Sequence, residues 1–149
     1  MGKTFQVEVV TPEGTAVSAR ATALQAPAWE GYLGVLAGHA PLLCVLRPGV
    51  LTIRQEASVQ YFAVKGGFME VTPERVIVLA DAIERADEID VAAAERDLEQ
   101  LEAPPATADV AALPAAARAR VREEAALARE EAHRWADARL AAVDRAKGG

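Results

Sequence analysis

The residues best suited to chemistry are concentrated in one glycine-punctuated stretch, Glu30-Gly31-Tyr32-Leu33-Gly34-Val35-Leu36-Ala37-Gly38-His39-Ala40-Pro41-Leu42-Leu43. Glycines at this spacing permit positive φ and close backbone approach, the properties a phosphate-cradling loop uses. Such a loop closes on Gly-Lys-Ser/Thr and opens a helix, and this stretch does neither. His39 has no nucleophile, base or metal-ligand cluster around it in sequence, so neither a catalytic residue nor a metal site is assigned. From the residues alone, hydrogen bonding to loop carbonyls stays open to it. Cys44 is the single cysteine, which excludes an internal disulfide. Within Pro41-Leu42-Leu43-Cys44-Val45-Leu46 it reads as a small buried hydrophobe rather than a reactive thiol.

The elements around this stretch fall into two halves of different period. Phe5, Val7 and Val9 alternate with Gln6 and Glu8, the pattern of a half-buried strand. Pro12-Glu13-Gly14 turns the chain. Leu51 and Ile53, the run Val59–Val64, Phe68–Val71 and Val76–Leu79 continue as short segments separated by Gly and Pro signals. This recurrence predicts an antiparallel β-sandwich or barrel. From about Ile83 glycine disappears until Gly148 and alanine takes over. Asp90 is placed to cap a first helix whose apolar face is Val91, Ala94, Leu98 and Leu101. Pro104-Pro105 forces a break between Ala103 and Leu113. A second helix is expected from near Pro114 to near Lys147, with Ala117, Val121, Ala125, Ala128, Ala132 and Trp135 as its apolar stripe and Glu130–Arg134 as an i,i+4 pair. Alanine favours helix strongly but buries little surface, so the hairpin should be well formed and loosely docked. The fold class is thus α+β, with a sandwich domain at 1–86 and a helical hairpin at 87–149.

Charge narrows the function. The net charge is -6. Residues 1–113 hold 8 Lys/Arg and 16 Asp/Glu (net -8), and residues 114–149 hold the other 8 and 6 (net +2). An acidic body excludes a general nucleic-acid binder, which needs a basic surface to displace counterions. The mildly basic tail suits an acidic partner surface or the chain's own body. No run approaches a membrane span, and the N-terminus lacks an apolar signal core, so membrane association is expected only through partners.

The glycine-punctuated stretch resembles the signature of the epsilon-subunit family of bacterial rotary F-type ATP synthases, Gly-x-Leu-Gly-(Ile/Val)-x-x-Gly-His-Ala-Pro-Leu-Leu. The likeness continues through Leu46-Arg47-Pro48-Gly49-Val50-Leu51, Phe62 to Val71, Val78-Leu79-Ala80-Asp81 and Glu88-Ile89-Asp90, in the family's order over most of residues 5–100. It implies a sandwich of about ten strands followed by a helix pair. It also implies a non-catalytic central-stalk subunit that couples rotor turning to ATP synthesis and restrains ATP hydrolysis through mobile C-terminal helices. The implied partners are the gamma subunit, the ring of c subunits and the alpha/beta catalytic head, and the implied place is the cytoplasmic face of the bacterial inner membrane. Glu30, Tyr32 and His39 carry the implied c-ring contact, although many relatives have an acidic residue where Tyr32 stands. Arg118, Arg122, Arg129 and Arg134 are the candidates for reaching the head, the alternative being a solvated helix face. Relatives that bind regulatory ATP carry Ile/Leu-Asp-x-x-Arg-Ala. Here Ile89, Asp90 and Ala94 match but Ala93 replaces the arginine, which removes a guanidinium that could pair with phosphate. Glu84 stands at another matching acidic position, so weak ATP binding or none is implied, with no other cofactor. Without the resemblance, a soluble sandwich adaptor with a helical tail is the alternative function.

Overall fold

The computed structural model describes residues 2–103 and 110–148. Ten strands come first: β1 (Phe5–Thr11), β2 (Gly14–Ala21), β3 (Ala23–Ala28), β4 (Gly31–Leu36), β5 (Leu42–Leu46), β6 (Gly49–Arg54), β7 (Val59–Val64), β8 (Gly67–Val71), β9 (Arg75–Ala80) and β10 (Ile83–Arg85). A 3-10 turn at Ala86–Glu88 leads to α1 (Val91–Glu102), and a second at Val110–Ala112 leads to α2 (Ala115–Gly148). The Pro104-Pro105 break lies outside the described residues.

The alternation expected of β1 is realised: Phe5, Val7 and Val9 are buried while Gln6 and Glu8 are half-buried. The strands form two layers, β4-β3-β6-β7-β10 and β5-β8-β9-β1-β2. The layers meet at β3, whose residues Ala23–Gln25 pair with β6 while Ala28 pairs with Leu46 of β5. Phe5, Leu24, Leu51, Ile53, Phe62 and Met69 from both layers make one core. One pairing departs from the expected antiparallel pattern: β1 lies parallel to β9, with Val7 opposite Val76 and Val9 opposite Val78. Both strands start at the same end of the sandwich, where the Gln6 N–H donates to the Glu74 carbonyl at 3.1 Å.

The glycine-punctuated stretch is part strand and part loop: Ala37 to Pro41 form a turn and coil before β5. Its first half, Gly31–Leu36, runs as β4 and pairs with β3 along that length. Gly31 and Gly38 take positive φ of 136° and 81° at the strand's flanks, whereas Gly34 does not. Val35 is buried and Leu33 packs against the core, so period-two burial holds the segment extended despite its glycines.

Asp90 caps α1, its Oδ1 accepting the Ala93 N–H at 3.0 Å. The Arg129 guanidinium donates to the Leu101 and Ala103 carbonyls, satisfying groups that the end of α1 leaves open. The first helix therefore ends beside the middle of the second. This moves the expected apolar stripe: Val121, Ala125 and Ala128 are exposed, and the buried residues of α2 are Ala136, Ala138, Ala142 and Val143. The buried residues of α2 all lie beyond Arg129, while before it Ala117 and Arg118 are half-buried and Leu127 borders the sandwich beside Phe68.

Gly67 shows how tightly the second layer is built. Its φ is 132°, and a Cβ there would sit 1.9 Å from the Leu79 carbonyl oxygen on the neighbouring strand. Substitution Gly67→Ala is expected to cost roughly 2–4 kcal/mol, because a strained φ and a backbone collision act together. Urea unfolding of the two proteins checks this, with a lowered midpoint expected.

Candidate functional site

The pleat places alternate side chains on opposite faces of β5, β8 and β9. Cys44, Met69 and Val78 stand opposite one another in register and face the core. The next row is Val45, Phe68 and Leu79, also in register, and it faces outward. These three are 45%, 53% and 52% exposed. Leu43, two residues along β5, is 70% exposed. Trp29 extends the row, since its backbone N–H donates to the Val45 carbonyl at 2.9 Å. Its indole is exposed on one side and covered by the Arg47 guanidinium, 5.4 Å from the ring centroid. Leu127, Glu130 and Arg134 of α2 border the hollow beside Trp29, Val45 and Phe68, so the row runs up to the helix and is exposed beyond it. The sequence did carry a signal for it. The run Leu42–Leu46 is unbroken by polar residues, and an antiparallel strand with one wet face should alternate.

The residues singled out from the sequence do not converge. Glu30 sits exposed in the turn between β3 and β4, and Tyr32 follows at the start of β4. His39 lies beyond the other end of β4, about 17 Å away along the strand. There its Nδ1–H donates to the Ala40 carbonyl at 2.7 Å, while the Gly38 N–H donates to the Pro73 carbonyl. Glu30 and Tyr32 thus lie at one end of β4 and His39 past the other, along a strand whose outer edge is unpaired among the described residues. The Tyr32 hydroxyl accepts the Val50 N–H at 3.1 Å, and its ring lies beneath the Arg145 guanidinium of α2 at 4.9 Å.

The four helix arginines also divide. Arg122 is exposed and Arg118 half-buried on the first part of α2. Arg129 is turned inward onto the end of α1, and Arg134 pairs with Glu130. The acidic groups are engaged within the chain: Glu84 Oε2 receives Arg139 Nε at 2.9 Å, and Asp90 caps α1. Ile89 packs with Tyr61 and Trp135 against Val50, Ala63, Ala86 and Ala142, the cluster that seats α2 on β6 and β7. Arg139 and Arg145 were not singled out from the sequence, because cations on an amphipathic helix look alike whether solvated or bound. Among the described residues no three His, Cys, Asp or Glu side chains form a metal-holding group, and no helix is long and apolar enough to cross a membrane.

The class defined here is a ten-stranded sandwich with a row of large exposed apolar groups on one layer and a helical hairpin whose α2 is seated on β6 and β7 of the other. The family described as ATP synthase, Delta/Epsilon chain, beta-sandwich domain matches residues 4–86. The ATP synthase epsilon chain of Moorella thermoacetica is 44% identical over 119 residues, spanning 76% of this chain and 89% of that one. The epsilon chain of Solibacter usitatus is 48% identical over 100 residues, spanning 67% and 75%. In structure, the chain resembles one from the OSCP/F1/c-ring of the Euglena gracilis mitochondrial ATP synthase (TM-score 0.62, 19% identity, 97% of this chain and 80% of that one). It also resembles one from the central stalk and c-ring of the Tetrahymena thermophila enzyme (TM-score 0.56, 19% identity, 91% and 96%). At that identity the two show the shared fold. This chain belongs to the ATP synthase epsilon-chain family.

Two measurements test the local chemistry. Burial pushes the Cys44 thiol above its ordinary range. Near pH 8 it should hold less thiolate than free cysteine and react more slowly with a disulfide reagent, the gap closing as pH rises through its own higher pKa. Replacing Asp90 with Ala should cost about 1 kcal/mol of stability, read by thermal unfolding.

Proposed function

We propose that this chain is a non-catalytic subunit of the rotor stalk of a bacterial F-type ATP synthase, and that the outward row of Val45, Phe68 and Leu79 is its seat on the gamma subunit. The exposed row is the observation that carries this reading: a stalk protein must be clamped to its neighbour to transmit torque, and a rigid sheet face rich in large apolar groups suits permanent docking. Glu30, in the turn at one end of the sandwich, is the contact to the polar loops of the c ring. Tyr32 supports it only indirectly, being held between Val50 and Arg145. His39 serves its own turn instead. Membrane association comes through these partners, on the cytoplasmic face of the inner membrane.

The helices supply regulation. The folded hairpin is the permissive state, and release of α2 toward the alpha/beta head restrains ATP hydrolysis. Arg118 and Arg122 lead that contact, since Arg129 and Arg134 are engaged within the hairpin. No nucleotide holds the folded state. Glu84 and Asp90 already have partners, and Ala93 offers no guanidinium.

Two experiments test this. The double substitution Val45→Asp, Phe68→Asp should weaken gamma binding by roughly a hundredfold or more while the isolated chain keeps its circular dichroism. Unchanged co-purification would remove the assignment. In the reconstituted head complex, truncation after Ile89 should raise ATP hydrolysis several-fold over the full chain. Equal activity would make the chain a coupling spacer with no brake.

A further inference from the structure

The fully buried part of the α2 seat is made of small side chains, Ala142 against Val50, Ala63 and Ala86, with Trp135, Tyr61 and Ile89 half-buried around them. Each buried methyl in such a contact contributes little. Two cations of α2 reach the sandwich: Arg145 lies over the Tyr32 ring, and Arg139 makes the ion pairs. The Arg139 side chain is only 12% exposed, and it reaches two carboxylates on two other elements. Its Nε donates to Glu84 Oε2 on β10 at 2.9 Å, and its Nη1 donates to Asp97 Oδ2 on α1 at 3.2 Å. Its guanidinium also lies 6.0 Å from the centroid of the Trp135 ring.

We propose that Arg139 is a built-in latch that holds the helical hairpin on the sandwich with no bound ligand. A guanidinium matches two carboxylates at once because its donors are fixed in a planar fork. Once nearly buried it depends on both, since removing a partner leaves a charge poorly solvated and poorly paired. The two partners do different things. Glu84 belongs to the sandwich, so its pair with Arg139 ties α2 to the domain below. Asp97 belongs to α1, so its pair ties the two helices to each other, as Arg129 does at the other end of α1. The latch thus separates two motions, lifting of the hairpin as a unit and splitting of the hairpin. The Glu84 half governs the first and the Asp97 half the second.

Hydrogen exchange followed by mass spectrometry on the isolated full chain, without nucleotide, tests this. Glu84→Gln should speed exchange in residues 132–146 by roughly tenfold while the strands keep their protection. Asp97→Asn should speed exchange chiefly in α1 and leave residues 132–146 nearer the native rate. Glu84→Gln combined with Arg139→Gln should exchange no faster in residues 132–146 than Arg139→Gln alone, because both remove the same pair. Should Arg139→Gln lose its helical circular dichroism, the Glu84 and Asp97 variants decide the matter alone. Native exchange rates in Glu84→Gln, or multiplying effects in the double variant, would overturn the latch. Added MgATP should leave native exchange unchanged, and slowing by ATP would overturn its ligand independence. The proposal rests on the docked hairpin; because it is read on the free chain, its failure is distinguishable from failure of the gamma-binding and hydrolysis experiments.

Discussion

Side chains along a strand must alternate between two faces, and on β5, β8 and β9 the inner face is apolar while the outer face carries an apolar row, Val45, Phe68 and Leu79, beside exposed Glu70 and Arg75. The inner row, with Met69 and Val78, closes the core against the opposite layer. The outer row cannot be buried by anything within those three strands. Much of the molecule's design follows from that surplus. The layer must be stiff, because a surface that docks to another protein loses affinity for every conformation it samples in the free state. The stiffness comes from non-local pairing, including the parallel contact that locks β1, the first strand, to β9.

The other layer carries its outward surface differently. On β6 and β7 the fully buried groups facing α2, Val50 and Ala63, are small, with Tyr61 half-buried beside them, so the helix comes close but gains modest area. The contrast between a broad apolar row on one layer and a thin alanine seat on the other divides the chain by strength of attachment. The sandwich stands as the fixed part and the hairpin as the part that can leave. Helical propensity supports this, since an alanine-rich segment stays helical whether or not it is docked.

Local signals in the sequence reached as far as local physics does. The strand periods, the Asp90 cap and the Glu130–Arg134 pair depend only on near neighbours, and each is present. What depended on distant partners was hidden. The parallel contact of β1 and β9 joins segments far apart in sequence, which no period reports. The glycines of β4 looked like a loop because their spacing says nothing about the paired strand that keeps Val35 inside. The predicted stripe of α2 holds at Ala132 and Trp135 but fails at Val121, Ala125 and Ala128, which are exposed, because where the helix is covered is decided by where α1 stops and not by hydropathy. Arg139 had the same handicap: its neighbours in sequence give no hint of Glu84 and Asp97.

The unequal lengths of the two helices have a mechanical meaning. α1 has 12 residues and α2 has 34, and α1 ends beside Arg129. From Ala115 to Leu127 the second helix continues past that point as a single rod of roughly 20 Å, at 1.5 Å per residue. A rod fixed at one end magnifies movement at its foot: a tilt of about 10° carries the far tip by about 3–4 Å over that length. The alanine-lined seat is therefore a fulcrum, where a shift smaller than a side chain becomes a displacement large enough to make or break a contact at the tip.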